Sequence, residues 1–226
     1  MKTKEIFGFD FGKAFTYENG FYLTSSPSRI AKSIVHYELY KRIIDLPGEV
    51  IECGVFKGTS LIRFATYREI LESPFSRKII GFDAFGKFPD NVSMEPDKEF
   101  IKRFEMEAGN GISKEELESI LEYKKFQNIN LVKGFIPDVF SEYFNKKPET
   151  QIALLHIDVD VYEATMASLK NLYHRVVKGG LIIFDDYGQV AGATEAINEF
   201  IKSLDKSSKV IKKLPYNYIP AYMVKE

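Results

Sequence analysis

The sequence predicts an α/β fold built on a mostly parallel sheet. Short apolar runs rich in β-branched residues alternate with longer amphipathic segments along the 226 residues. This alternation is typical of parallel strands joined by crossover helices. Each apolar run ends in glycine or acidic residues, as expected where a strand leaves a sheet. Because 45% of the residues are hydrophobic, which is enough for the core of one domain, residues 1–226 are predicted to form a single domain.

Five strands and three crossover helices follow from these patterns. The strands are predicted at residues 49–55, 78–84, 128–134, 152–160 and 180–187. Apolar residues at helical spacing predict helices at residues 59–73, 162–177 and 192–206. The Lys-Gly-Gly sequence after the second helix is a helix stop. Two extended runs, 209–215 and 221–226, are expected to complete the sheet as an antiparallel pair at its edge.

Two segments lie outside this alternation. Residues 1–47 contain a helical pattern at 28–45 and are predicted to form an N-terminal lid or arm. Residues 86–127 form a connection that is long for a crossover, and we expect a substrate-side lid or binding wall there. Its residues 112–126 have the pattern of a solvated amphipathic helix.

Charge and cysteine content narrow the class of partner. The formal net charge is −1, so no field favours nucleic acid or a membrane surface, and a small molecule is the expected partner. No apolar stretch reaches the roughly 18 residues of a membrane span. A single cysteine, Cys53, excludes a disulfide framework within the chain and fits a reducing compartment. We therefore expect a cytoplasmic protein.

A glycine turn after the first strand predicts a ligand site. Ligands of open α/β sheets bind beyond the carboxyl ends of the strands. The spacing Gly-Val-Phe-Lys-Gly from Gly54 to Gly58 fits neither the dinucleotide fingerprint nor the phosphate loop. Glu52 beside this turn suits a cationic amino acid group, and Asp83 at the next strand end suits two ribose hydroxyls. Together these groups describe S-adenosylmethionine. The alternative is a purely structural turn, with Thr59 or Ser60 capping the following helix and Asp83 solvated.

Carboxylates at the last two predicted parallel strands indicate a second site. Asp158, Asp185 and Asp186 are expected to lie close together, and like charges so placed require protonation or a bridging cation. Oxygen ligands that leave room for substrate favour Mg²⁺. Asp160 is set apart as the predicted N-cap of the next helix, because Glu163 follows it at capping-box spacing.

Four stretches together resemble the macrocin O-methyltransferase family, class I S-adenosylmethionine enzymes that methylate sugar hydroxyls, including 3-hydroxyls of deoxysugars. They are LPGEV, VIECGVFKGTS, GFDAFGKFP and HIDVDVYEATMASLKNLYHRVVKGGLIIFDDYG. The resemblance implies a Rossmann-like class I methyltransferase with a seven-stranded sheet, its last strand antiparallel, and helices on both faces. It also implies S-adenosylmethionine and Mg²⁺ as cofactors. The residues it places at the two sites are Glu52, Gly54, Ser60 and Asp83 for S-adenosylmethionine and Asp158, Asp185 and Asp186 for the metal.

The expected reaction is methyl transfer to a hydroxyl of a sugar or nucleotide-sugar acceptor. The expected position of methylation is the 3-hydroxyl of a deoxysugar. The base is expected to be Asp158, Asp185 or His156, although His156 equally suits a hydrogen-bonded core position. A catechol-like or other diol methyltransferase, a nicotinamide-dependent oxidoreductase, a metal-dependent phosphate-ester hydrolase and a binding module remain as alternatives. The aromatic N-terminal arm suggests a homo-oligomer in which it reaches a neighbouring site.

Overall fold

The computed structural model describes residues 5–89, 92–204, 210–217 and 219–226. Its strands are β1 (Glu5–Ile6), β2 (Phe9–Asp10), β3 (Glu49–Cys53), β4 (Ile79–Asp83), β5 (Ile129–Lys133), β6 (Ile152–Ile157), β7 (Val176–Phe184), β8 (Lys212–Lys213) and β9 (Ala221–Val224). Its α-helices are α1 (Ala14–Thr24), α2 (Pro27–Tyr40), α3 (Thr59–Leu71), α4 (Glu95–Ala108), α5 (Lys114–Tyr123), α6 (Ile136–Lys146), α7 (Tyr162–Leu172) and α8 (Ala191–Ser203).

The predicted seven-stranded sheet is confirmed. Its spatial order is β5-β4-β3-β6-β7-β9-β8, and β1 pairs with β2 in a separate small hairpin. The first five strands of the large sheet pair in parallel. Strand β9 pairs antiparallel with both β7 and β8, which confirms the antiparallel last strand. From β3, the sheet continues through β4 and β5 on one side and through β6 and β7 on the other. This change in strand order between β3 and β6 is a switch point, which favours a ligand crevice.

Alternation along the strands builds one apolar core on each face. On one face, α2, α3 and α5 cover β3 and β6 through Val50 and Leu154. On the other face, α6, α7 and α8 cover the same strands through Ile51 and Leu155. Glu52 and His156 are directly paired in the register of β3 and β6, and they follow the alternation of the first face. Two polar residues therefore meet inside an otherwise apolar layer.

The N-terminal segment and the long insertion have defined structure. Helix α1 buries none of its residues, and Phe15 and Leu23 are 75% and 85% exposed. Helix α2 packs against α3. The insertion between β4 and β5 contains α4 and α5, and α5 begins with a capping box between Ser113 and Glu116. No helix within the described residues has the length and apolarity to cross a membrane.

Several predicted boundaries were wrong. The helix expected to run to residue 177 ends at Leu172, and the Lys-Gly-Gly sequence lies inside β7 instead of ending a helix. The β-branched pair at 176–177 extends the strand backwards. Helix α6 was not predicted, because it lies in a short segment between two predicted strands. The predicted helix end at Lys206 and strand start at Lys209 lie outside the described residues.

The predicted helix caps also differ. Helix α3 has Gly58 as its N-cap and no side-chain capping bond, so neither Thr59 nor Ser60 is a cap. Helix α7 has Val161 at its N-cap position, so Asp160 is not the cap. The Asp97 carboxylate of α4 instead accepts the backbone N–H of Tyr162 at 2.8 Å. A carboxylate from a distant segment has taken the role assigned to a local one.

Candidate functional site

A cavity of about 540 Å³ lies beyond the carboxyl ends of the parallel strands, as expected for an open α/β sheet. Strand ends, the N-terminal helix α2 and the insertion all contribute to its lining. The insertion supplies an apolar wall that includes Phe88, Val92 and Phe104. Five carboxylates line the same cavity, namely Asp83, Asp158, Asp160, Asp185 and Asp186.

The glycine turn forms one side of the cavity. Gly54 has φ +87°, and a Cβ on it would lie 1.7 Å from the backbone oxygen of Asp158. Only glycine therefore allows the end of β3 to approach the end of β6 this closely. Thr59 and Ser60 begin α3 and line the cavity. Because the first N–H groups of a helix have no intrahelical acceptor, they are available to a ligand.

Asp83 holds the glycine turn in place. Its Oδ2 accepts the backbone N–H of Val55 at 2.7 Å and that of Phe56 at 3.0 Å. Phe56 has φ +50°, a conformation that needs such support for a residue with a side chain. Asp83 also lines the cavity. A role in ribose binding would thus come in addition to a structural role that the sequence did not reveal.

A buried chain of alternating charges lies beneath the cavity. Glu52 Oε1 is 2.9 Å from Nδ1 of His156, and His156 Nε2 is 3.4 Å from Oδ1 of Asp185. The other carboxylate oxygen of Asp185 forms an ion pair with Nζ of Lys32. The chain joins β3, β6, the end of β7 and α2. Glu52 and His156 are both fully buried, and neither is among the residues that line the cavity.

Protonation of this chain follows from its contacts. Burial lowers the pKa of His156, but hydrogen bonds to Asp185 and Glu52 outweigh this effect and raise the pKa to about 10. Burial likewise opposes the ionisation of Asp185, yet the hydrogen bond with His156, the His36 ring at 3.8 Å and the charge of Lys32 hold its pKa well below the usual range. Two cations therefore balance two buried carboxylates. His156 carries its proton throughout the neutral range, which argues against the predicted role as general base.

Asp158, Asp160 and Asp186 form a second carboxylate group. One oxygen from each lies within 4.8 Å of the others, and Asp186 Oδ2 accepts the backbone N–H of Asp160 at 2.9 Å. Burial and then the neighbouring carboxylates raise the pKa of Asp160 to about 8. Burial and the same repulsion raise the pKa values of Asp158 and Asp186 well above the usual range. Such mutual repulsion at a cavity wall fits a site for an oxygen-liganded divalent cation.

The structure therefore regroups the predicted metal ligands. Asp158 and Asp186 come together as expected, but the third member of the group is Asp160 instead of Asp185. Asp160 has φ +62°, and this left-handed conformation accompanies its place in the group. Asp185 lines the cavity beside them, with its carboxylate engaged by Lys32 and His156. Periodicity cannot show this division, because Lys32 comes from a segment 153 residues away.

The chain is similar in sequence to known O-methyltransferases. The family model described as macrocin-O-methyltransferase (TylF) matches residues 38–214. Demethyldecarbamoylnovobiocin O-methyltransferase of Streptomyces niveus is 28% identical over 175 residues, which are 74% of this chain and 63% of that protein. Mycinamicin III 3''-O-methyltransferase of Micromonospora griseorubida is 30% identical over 69% of this chain and 61% of its own length. The chain thus spans about three fifths of the length of these curated relatives.

Solved structures of O-methyltransferases share the fold of this chain. CalS11, a calicheamicin methyltransferase, superposes with a TM-score of 0.71 at 26% identity, over 92% of this chain and 83% of its own. Its apo form is described as a TDP-rhamnose 3'-O-methyltransferase. The O-methyltransferase NovP also gives a TM-score of 0.71, at 20% identity, over 87% of this chain and 80% of its own. The large sheet and its helices are therefore those of the class I methyltransferases.

Proposed function

Because the chain belongs to the macrocin O-methyltransferase family, we propose that it is an S-adenosylmethionine- and Mg²⁺-dependent O-methyltransferase that acts on a sugar hydroxyl. The observation that supports this most strongly is that one cavity joins the glycine turn at Gly54 to a group of three carboxylates. A methyl donor and a hydroxyl acceptor need adjoining sites of these two kinds. We further propose the 3-hydroxyl of a deoxysugar as the position of methylation.

The cofactor would lie against the glycine turn. Gly54 lets the backbone approach it closely, and Thr59 and Ser60 offer their N–H groups and hydroxyls to its amino acid portion. Gly58, predicted beside them, is not part of the cavity lining, and a Cβ on it would meet Leu117 at 2.8 Å. Asp83 has its carboxylate at the cavity wall, where its remaining acceptor capacity suits the ribose hydroxyls. Glu52 would act indirectly, since its carboxylate is buried against His156. When bound, S-adenosylmethionine supplies an electrophilic methyl group.

Asp158, Asp160 and Asp186 would hold the metal. Asp185 would become a further ligand if its ion pair with Lys32 opened. These carboxylates present oxygen ligands to a cavity that also admits the substrate, as Mg²⁺ prefers. When bound, Mg²⁺ supplies positive charge that favours ionisation of a nearby hydroxyl. The protein's own contribution is to hold Asp185 through the chain of charges from Glu52 to Lys32 and Asp186 through the backbone N–H of Asp160.

Transfer requires a positioned oxygen nucleophile that loses its proton. Asp158 and Asp160 both line the cavity, so a carboxylate oxygen of either can accept this proton, whereas His156 lies behind the wall. The aromatic side chains of Phe88 and Phe104, from the insertion, shield the cavity on its other side and would exclude water from the methyl group. Positioning of the two reactants then supplies much of the rate acceleration.

Titration calorimetry with S-adenosylhomocysteine, with Mg²⁺ present and again with a chelator, tests the cofactor proposal. We expect micromolar binding, with NAD⁺ silent in parallel. A transfer assay on sugar and nucleotide-sugar acceptors follows, using Asp160→Asn as the variant that loses transfer while keeping cofactor affinity. Binding of NAD⁺ instead of S-adenosylhomocysteine would overturn the proposed activity and favour an oxidoreductase.

A further inference from the structure

Two arginines of the cavity have no partner within the part of the chain that the structure describes. Arg29 lies on α2 and Arg63 on α3, and both line the cavity. Lys32 and Lys57 of the same wall are already engaged, because Lys32 pairs with Asp185 and Lys57 donates to the backbone oxygen of Ala108. Lys87, from the insertion, also lines the cavity without a hydrogen bond or ion pair among the described residues. Arg63 is half-buried, and a guanidinium withdrawn from water without an acceptor is unfavourable unless a ligand completes it.

The packing of α2 on α3 brings these arginines to the same level. Ser33 and Tyr67 are joined by hydrogen bonds, of which the one from the Tyr67 hydroxyl to the Ser33 oxygen measures 2.9 Å. Tyr40 donates to Glu72 at 2.6 Å further along both helices. The two helices therefore run in the same direction. Arg29 and Arg63 each precede the first pair by four residues, which is about one helical turn.

The electrostatics agree with this proximity. Burial lowers the pKa of Arg63, and the positive charge of Arg29 acts in the same direction. Tyr67, Asp185 and Glu52 act on this pKa in the opposite direction, but none of them forms a hydrogen bond or ion pair with Arg63 in the described part of the chain. Two like charges at one cavity wall therefore favour an anionic ligand. Guanidinium groups bind phosphate oxygens in a bidentate manner, so the pair suits a group with two negative charges.

We propose that Arg29 and Arg63 form a subsite for the diphosphate of a nucleotide-linked sugar, so that the acceptor is methylated before its sugar is transferred. This inference deepens the proposed function and depends on it. The location supports it, because Arg29 lies one turn from Lys32 on α2 and Lys32 contacts Asp185. A diphosphate at the arginines would thus place the attached sugar over the carboxylate group. The amino acid portion of S-adenosylmethionine has one carboxylate beside its own ammonium group. Its single negative charge therefore matches two arginines less well than a diphosphate does.

Calorimetry with thymidine diphosphate and uridine diphosphate, at saturating S-adenosylhomocysteine, tests the subsite. A chelator is present throughout, so that no metal on the aspartates can hold the diphosphate. We expect at least one diphosphate to bind and thymidine and uridine to bind at least tenfold more weakly. Arg29→Gln and Arg63→Gln should each weaken diphosphate binding by roughly tenfold or more, the effect of losing a charge-assisted hydrogen bond.

Two controls make the outcome decisive. Arg103→Gln removes an arginine that faces the ring of Phe100 on α4 and is not part of the cavity lining, so it should leave diphosphate affinity unchanged. Arg63→Lys keeps the charge and should retain part of the affinity. Absence of diphosphate binding to the unaltered protein overturns the subsite, as does diphosphate affinity in both glutamine variants equal to that of the unaltered protein. Loss of S-adenosylhomocysteine affinity in those variants, without loss of diphosphate affinity, overturns it by assigning the arginines to the cofactor. Failure of S-adenosylhomocysteine to bind the unaltered protein instead contradicts the proposed function itself.

Discussion

Lys32 and Asp185, separated by 153 residues in the chain, form an ion pair at the wall of the cavity. The side chain of Asp185 is 7% exposed and that of Lys32 22%. Burial lowers the pKa of Lys32, but the nearby Asp158 and Asp185 carboxylates outweigh this effect and raise it. The ammonium group therefore serves as a cation of the protein's own beside the proposed metal site, and it ties α2 to the end of β7.

Replacing Lys32 by methionine should reveal this role. Without the ammonium group, Asp185 is a buried carboxylate short of one partner, so the free energy of unfolding in chelator should fall by about 2 kcal/mol. The carboxylates then attract Mg²⁺ more strongly, and we expect Mg²⁺ affinity to rise by about tenfold. Denaturant unfolding and Mg²⁺ titration measure the two effects. Lys32→Arg keeps the charge and is the matched control. Unchanged Mg²⁺ affinity in Lys32→Met would show that Lys32 does not compete with the metal.

Asp83→Ala should weaken cofactor binding. The carboxylate is expected to hold the ribose, and it also holds the turn through Val55 and Phe56. Both effects act in the same direction, so the dissociation constant for S-adenosylhomocysteine should rise by at least about tenfold. Calorimetry measures this change. Asp138→Ala, at an exposed carboxylate on α6 outside the cavity, is the control, and an unchanged constant in Asp83→Ala would remove Asp83 from the site.

Asp97 should matter for stability more than for chemistry. Its buried carboxylate accepts the N–H of Tyr162 at 2.8 Å and that of Gly192 at 3.1 Å, so it satisfies the N-termini of α7 and α8 together. Asp97→Ala should lower the free energy of unfolding by about 2 to 4 kcal/mol, since two caps are lost. Denaturant unfolding provides the measurement. Glu95→Ala, at a 75% exposed side chain, should change stability by less than about 0.5 kcal/mol.

Gly192 offers an independent check on the same contact. A Cβ on this glycine would lie 2.0 Å from Oδ2 of Asp97, so Gly192→Ala should displace the carboxylate and destabilise the protein. In the Asp97→Ala background that overlap is absent, and the alanine at 192 should be better tolerated. A double-mutant cycle measures the coupling. Strict additivity of the two substitutions would contradict a direct contact.

Cys53 should be an inert thiol with a defined pH signature. Burial raises its pKa from 9.0 to about 12, so the folded protein retains the thiol proton where the unfolded chain loses it. The resulting contribution to stability is complete below pH 9 and is lost as pH rises toward 12. The free energy of unfolding should therefore fall more between pH 7.5 and about 10.5 in the unaltered protein than in Cys53→Ala. Equal pH dependence would contradict this expectation, as would rapid reaction of the native thiol with a disulfide reagent at pH 8.

The sequence by itself determined the sheet and the location of the site. Strands β3, β4, β5 and β6 are apolar runs whose local pattern identifies them, and Gly54 marks the turn that follows β3. Because parallel strands present their carboxyl ends on one edge, the sequence predicts acids such as Asp83 and Asp158 at the same edge of the sheet. These inferences depend on neighbours along the chain or on adjoining strands.

Only the tertiary structure decided which acids lie together. Asp160 joins Asp158 and Asp186 because its backbone adopts φ +62° and because Asp97, from a distant helix, caps α7 in its place. Asp185 is drawn toward Lys32 because α2 packs against that end of the sheet. Side-chain direction at a strand end depends on the segment that packs over it, and no periodicity records a contact between residues far apart in the chain.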